Sequence, residues 1–153
     1  MQNLTKIIAT FFGIGYLPLM PGTYASMSGI VILLLTKDKP YIYFLSIMIC
    51  IGLGLFFTGK AEKLFNKKDP ACVVIDEVAG ILLTFIFIKV SVLNIALGFL
   101  LFRTFDVIKP LGIKRIQKFK GSLGIMLDDI LAAILANFIL QVFNLGQNFF
   151  KLN

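Results

Sequence analysis

Between Tyr41 and Phe57 the chain runs for 17 residues without a charged side chain. At about 1.5 Å per helical residue, that run approaches the ~30 Å hydrocarbon core of a bilayer. A stretch of this kind needs an apolar host, and the composition says which. Of 153 residues, 58% are hydrophobic and 15% charged, whereas soluble domains run about 45–50% apolar and about 25% charged. The mean hydropathy is +0.92. These figures disfavour disorder, a secreted disulfide scaffold and an ordinary cytosolic enzyme. The length suits a single membrane-embedded domain over residues 1–153. A net charge of +7 sets orientation and draws anionic lipid in such a protein, and no nucleic acid is implied.

Further apolar segments surround the first. Tyr24 to Leu35 is closed by the polar turn Thr36-Lys37-Asp38-Lys39-Pro40. Val73 to Phe105 is too long for one helix and would bury Lys89, so it predicts a short hairpin. Its arms are Val78 to Ile88 and Val92 to Phe105, with the turn at Lys89 to Ser91. Ile125 to Leu145 is a long helix opened by two aspartates, and Gln2 to Phe12 suits an interfacial helix. Lys6 interrupts the N-terminus, which does not read as a cleavable signal. The expected architecture is an all-α polytopic membrane bundle of about four to five membrane helices.

Two basic stretches orient it. Lys60, Lys63, Lys67 and Lys68 precede Asp76, and Lys114, Arg115 and Lys118 lie between Lys109 and Lys120. By the positive-inside rule both are cytoplasmic. Alternating crossings then bring Pro21-Gly22-Thr23, Asp76-Glu77, Asp106 to Pro110 and Asp128-Asp129 to one membrane face.

Five of the eight acids, Asp76, Glu77, Asp106, Asp128 and Asp129, edge hydrophobic segments. A single carboxylate there is ordinarily a helix cap, and for Asp128 alone that reading leads. Asp38, Glu62 and Asp69 sit in polar turns and read as solvated. Five acids converging are different, because they repel one another unless a cation lies between them. Oxygen donors of this kind suit Mg²⁺, Mn²⁺ or Ca²⁺. Without histidine, and with only Cys50 and Cys72, zinc is disfavoured; the two cysteines read as small buried hydrophobes.

Arg103, Asp106 and Lys109 are spaced by three, one face of a helix that Pro110 ends. Acids for a metal beside Arg and Lys are what a phosphate ester needs, although a local Arg–Asp–Lys network at the interface explains them equally well. Gly13, Gly15 and Gly22 around Pro18 and Pro21, and Gly121 and Gly124 before Asp128, allow close backbone approach to an anion. Thr23 and Ser26 offer hydroxyls at a helix start. Cysteine-, histidine- and Asp-x-Asp-based phosphatase motifs are missing.

Four motifs in order resemble the phosphatidylglycerophosphatase A family of membrane lipid phosphatases. They are Gly13-Ile14-Gly15-Tyr16-Leu17-Pro18-Leu19-Met20-Pro21-Gly22-Thr23, Ile75-Asp76-Glu77-Val78-Ala79-Gly80, Phe102 to Pro110, and Gly121 to Ala132. Ala25, Leu111, Ser122 and Ala133 depart from the family pattern. The resemblance implies Mg²⁺-dependent removal of the terminal phosphate of phosphatidylglycerophosphate, giving phosphatidylglycerol, at the cytoplasmic side of a bacterial inner membrane. It implies that Asp76, Glu77, Asp106, Asp128 and Asp129 form the catalytic and metal set. Arg103 and Lys109 would meet the phosphate, and Asp129 is the first choice for base or nucleophile. The competing readings are a small transporter or cation-conducting protein using the carboxylates, and a scaffold whose acids are only caps. The sequence does not speak to self-association.

Overall fold

A computed structural model describes residues 2–109 and 121–152. Among them the chain is all helical. The elements are α1 (Gln2–Ala9), a short 3₁₀ turn (Ile14–Tyr16), α2 (Pro21–Thr36), α3 (Pro40–Leu64), α4 (Ile75–Thr84), α5 (Val92–Ile108) and α6 (Ser122–Leu152). Prolines open α2 and α3 at their first positions, where the missing N–H has no partner to lose. Ser91 caps α5 by accepting the Asn94 N–H at 3.2 Å. Lys109 ends α5 in the left-handed conformation.

The short helix α4 is the centre of the bundle, packed against α2, α3, α5 and α6. Its residues Ile75, Val78, Ala79, Ile81 and Leu82 are buried, as are Phe102 of α5 and Ala132, Ala133 and Ala136 of α6. Small residues let these helices approach closely: a Cβ at Gly29 would lie 2.3 Å from Ile81, and one at Gly80 would lie 2.6 Å from the Phe102 ring. Ala25 and Ala133, two of the departures from the family pattern, are fully buried in this core.

The hairpin forms around the expected turn, with one difference. Helix α4 stops at Thr84 instead of reaching Ile88, and Phe87 has a left-handed φ of 59°. The carbonyls freed there find distant partners. Asn137 donates to the Thr84 and Ile86 carbonyls at 2.9 and 2.8 Å. Asn94 donates to the Lys89 carbonyl at 2.8 Å and to Asn144 at 3.0 Å. An apolar interior has no water for these groups, so side-chain amides substitute for it.

By length and composition two helices can cross a membrane, α3 and the Ser122–Gln147 part of α6. Four to five spans are therefore not confirmed: α2 has 16 residues, α4 has 10 and α5 has 17, against the ~20 that a full crossing usually takes. Helix α1 packs on α3 through Thr5 and Ala9 and exposes Leu4 and Ile7. Both cysteines are free thiols, Cys50 buried and Cys72 half-buried. Pro110, Leu111, Lys114, Arg115 and Lys118 lie outside the described residues.

Candidate active site

The four separated polar clusters share one cleft of about 370 Å³, lined by Leu19 to Gly22, Asp69, Ala71, Val73, Asp76, Glu77, Arg103, Asp106, Lys109, Asp128 and Asp129. Helices α2, α4 and α5 contribute from their ends, and α6 from beyond its first turn. Helix α2 enters with Pro21 and Gly22, α4 with its first-turn Asp76 and Glu77, and α5 with its last turn.

Gly22 leaves room for the Glu77 carboxylate, which would have to shift if a side chain stood there. A Cβ there would lie 2.2 Å from Glu77 Oε1 and 3.1 Å from Arg103 Nη1. The first turn of α2, whose N–H groups lack partners within the helix, is thereby brought against the carboxylate and the guanidinium. The other glycines read as an anion loop do not line the cleft. Gly13 and Gly121 make left-handed turns, Gly15 packs under the Cys72 carbonyl, and Gly124 lies inside α6.

The start of α6 decides the capping question for its acids. The helix begins at Ser122, so Asp128 and Asp129 sit beyond its first turn, too deep to cap N–H groups that only the first turn leaves free. Asp128 instead forms an ion pair with Lys109. The left-handed Lys109 turns its ammonium to α6, while Arg103 takes Asp106 at 2.7 Å. The expected single-face Arg–Asp–Lys row is thus divided between two acids. Asp106 also lies within hydrogen-bonding reach of Asp129.

Asp76, Glu77 and Asp129 are what remain, and one oxygen of each is orphaned. Asp76 Oδ1, Glu77 Oε2 and Asp129 Oδ2 are buried without a hydrogen-bond partner. One carboxylate oxygen from each lies within 4.8 Å of the others. At that separation two like charges repel by about 3.5 kcal/mol at an effective dielectric constant of ~20, so three bare carboxylates are untenable together. Protons answer this in part. Burial, then Glu77 and Asp129, hold the Asp76 carboxyl well above the usual range. Burial pushes Glu77 up to about 7; Asp106 adds to the rise, and a hydrogen bond from Asp76 and the charge of Arg103 oppose it. The other answer is a hard divalent cation, whose oxygen coordination these donors fit.

Thr23 Oγ1 is also buried without a partner. Ser26 lies one turn deeper, fully buried, with its hydroxyl donated to the Gly22 carbonyl at 2.8 Å. Two acids read as solvated in the sequence belong to the neighbourhood. Asp69 lines the cleft and feels Asp128, Lys109 and Asp106. Glu62, within α3, accepts the Asp69 N–H and the Gly121 N–H, both at 3.2 Å, and so clamps the α3–α4 loop to the start of α6. The one sequence signal for Asp69 is its nearness to the Asp76-Glu77 motif.

The family model for phosphatidylglycerophosphatase A matches residues 7–144. The chain belongs to the phosphatidylglycerophosphatase A family. As a member it is a phosphatase, a phosphoric monoester hydrolase. It is similar to the phosphatidylglycerophosphatase A proteins of Escherichia coli (strain K12), 32% identical over 89% of this chain and 81% of the relative, and of Haemophilus influenzae, 32% identical over 89% and 86%. A protein of Bacteroides thetaiotaomicron, provisionally named a phosphatidylinositol-3-phosphatase, is 30% identical over 91% of this chain and 92% of its own length. No solved structure matches the chain.

Proposed function

We propose that this family member hydrolyses the terminal phosphate monoester of phosphatidylglycerophosphate, with Mg²⁺ as cofactor, at the cytoplasmic face of a bacterial inner membrane. The observation that carries the reading is the trio Asp76, Glu77 and Asp129, with orphaned oxygens gathered beside two paired cations in one cleft. Acids at one end of the bundle favour a phosphate site over an ion pathway, which would spread them through the membrane depth. Exposed apolar side chains along α3, among them Leu45, Met48, Ile49 and Phe56, favour a lipid surround.

In this reading Asp76, Glu77 and Asp129 hold the cation, with Asp106 and Asp128 beside them. When bound, it neutralises the trio and polarises the phosphoryl group. Arg103 and Lys109 take charge on the phosphoryl oxygens, each already oriented by its acid partner. The Gly22 N–H and the Thr23 hydroxyl add donors at the start of α2. Asp129 accepts a proton from the attacking water as its oxygen joins phosphorus. The ester P–O bond breaks, and the released glycerol oxygen takes the proton from Asp129, which returns to its carboxylate form.

Phosphate release by purified protein tests this directly. The reading expects turnover of phosphatidylglycerophosphate with Mg²⁺, loss of it in EDTA, and loss in Asp76→Asn and Asp129→Asn. Absence of turnover in both detergent and lipid removes the proposal, and preference for phosphatidylinositol 3-phosphate transfers it to the other substrate.

A further inference from the structure

The segment between α1 and α2 is built at unusual conformational expense. Phe11, Phe12 and Leu19 have φ of 44°, 56° and 74°, a left-handed conformation that costs a side-chain-bearing residue roughly 1–2 kcal/mol. Strain of this kind persists only where the surroundings impose it, and it clusters at functional sites. The surroundings here are firm. Val74 N–H donates to the Ala9 carbonyl at 2.9 Å, and Gly15 N–H donates to the Thr10 carbonyl at 2.9 Å. A Cβ on Gly15 would overlap the Cys72 carbonyl. The segment is thus fixed to the strand of chain that leads into Asp76 and Glu77.

What it presents is apolar. Leu19 is 92% exposed and Met20 is 59% exposed, yet both line the cleft that holds the charged groups. Tyr16 and Leu17, just before them, are also exposed. A soluble phosphate ester would gain nothing from such a border. A lipid phosphate would, because the cleft of about 370 Å³ is near the small end of ligand pockets, ~300–1,000 Å³. It has room for a phosphorylated glycerol headgroup and not for two long acyl chains.

We infer that Leu19 and Met20 form an apolar lip that receives the acyl-glycerol portion of the lipid substrate while its phosphate lies among the carboxylates. This rests on the lipid-phosphatase reading above and adds the residues that separate an acylated phosphate ester from its bare headgroup. The committed occupant is the substrate's own apolar portion, and general anchoring in bilayer lipid is the alternative the test separates.

The test compares dihexanoyl phosphatidylglycerophosphate with its deacylated counterpart, glycerophosphoglycerophosphate, in detergent micelles and in reconstituted vesicles. Leu19→Gly removes the side chain and relieves the left-handed cost, so its melting temperature stays at or above that of the parent protein. Its ratio of kcat/KM for the acylated over the deacylated ester should fall about tenfold, as expected for lost contact with part of a leucine side chain. Met20→Ser should shift the ratio in the same direction, and Leu19→Met should restore most of it. An unchanged ratio, whether through equal loss on both substrates or through none, overturns the lip. Loss confined to vesicles also overturns it and assigns the segment to bilayer anchoring. A parent protein that hydrolyses neither ester refutes the underlying phosphatase reading, a result distinct from any change in the ratio.

Discussion

Replacing Glu77 by glutamine should make the metal-free protein more stable at alkaline pH while removing its activity. Burial raises the Glu77 carboxyl from 4.5 to about 7, and each unit is worth about 1.4 kcal/mol. Because the folded-state value lies above the unfolded one, the folded protein binds this proton more tightly. Stability is therefore fully present below about 4.5 and falls as pH rises through about 7. At pH 8 the ionised side chain costs the fold about 3 kcal/mol, and at pH 5 less than about 1 kcal/mol. The amide cannot ionise, so Glu77→Gln should exceed the parent protein by that margin at pH 8, several degrees in melting temperature, with near equality at pH 5. Thermal unfolding in detergent with EDTA reads this. Mg²⁺ at about 1,000 times its dissociation constant should invert the order, since it adds about 4.1 kcal/mol to the protein that binds it. A Glu77→Gln protein that is less stable than its parent at pH 8 in EDTA would show that Arg103 keeps the carboxylate charged, and the electrostatic account of the trio would be wrong.

Three further outcomes follow from the geometry. Gly22→Ala should keep the fold, since alanine suits a helix, yet lose at least about tenfold in kcat/KM, because its methyl would meet Glu77 at 2.2 Å; full activity would mean that α2 does not close on the site. Lys109→Met should destabilise the fold, because the buried Asp128 loses its ion pair with Lys109. Adding Asp128→Asn should recover most of that stability in a denaturant titration without recovering phosphate release. Asn137→Leu should cost about 1–3 kcal/mol per orphaned carbonyl, with kcat at a permissive temperature little changed; a proportionate loss of kcat would tie the far end of α4 to catalysis.

Much of this was legible because apolar runs and their charged edges are local properties. The charge-free Tyr41 to Phe57 run lies inside α3, and Pro21 marks the start of α2. The hairpin followed from the length of Val73 to Phe105 and from Lys89, which one continuous helix would bury; Ser91, at the end of that turn, caps α5. Long-range partners were not legible. Nothing near Thr84 says that Asn137, fifty-three residues on, will take its carbonyl and let α4 end early. The acids of α6 were identifiable, but their depth was not, because Gly124 read as loop and is helical. Lys109 reaches Asp128 because one left-handed residue turns it away from its own helix face, which residue spacing alone does not encode. Asp69 and Glu62 were dismissed as solvated turn acids, the ordinary fate of such residues, and only the folded chain places them at the cleft and its clamp.

The account stands on Asp76, Glu77 and Asp129 jointly holding a divalent ion. Mn²⁺ titration followed by electron paramagnetic resonance, on the purified protein at pH 7.5, addresses this without relying on turnover. The parent protein should take up Mn²⁺ in competition with Mg²⁺, and Asp76→Asn, Glu77→Gln and Asp129→Asn should each lose that uptake while Asp38→Asn keeps it. Undiminished Mn²⁺ binding in all three variants would contradict the claim.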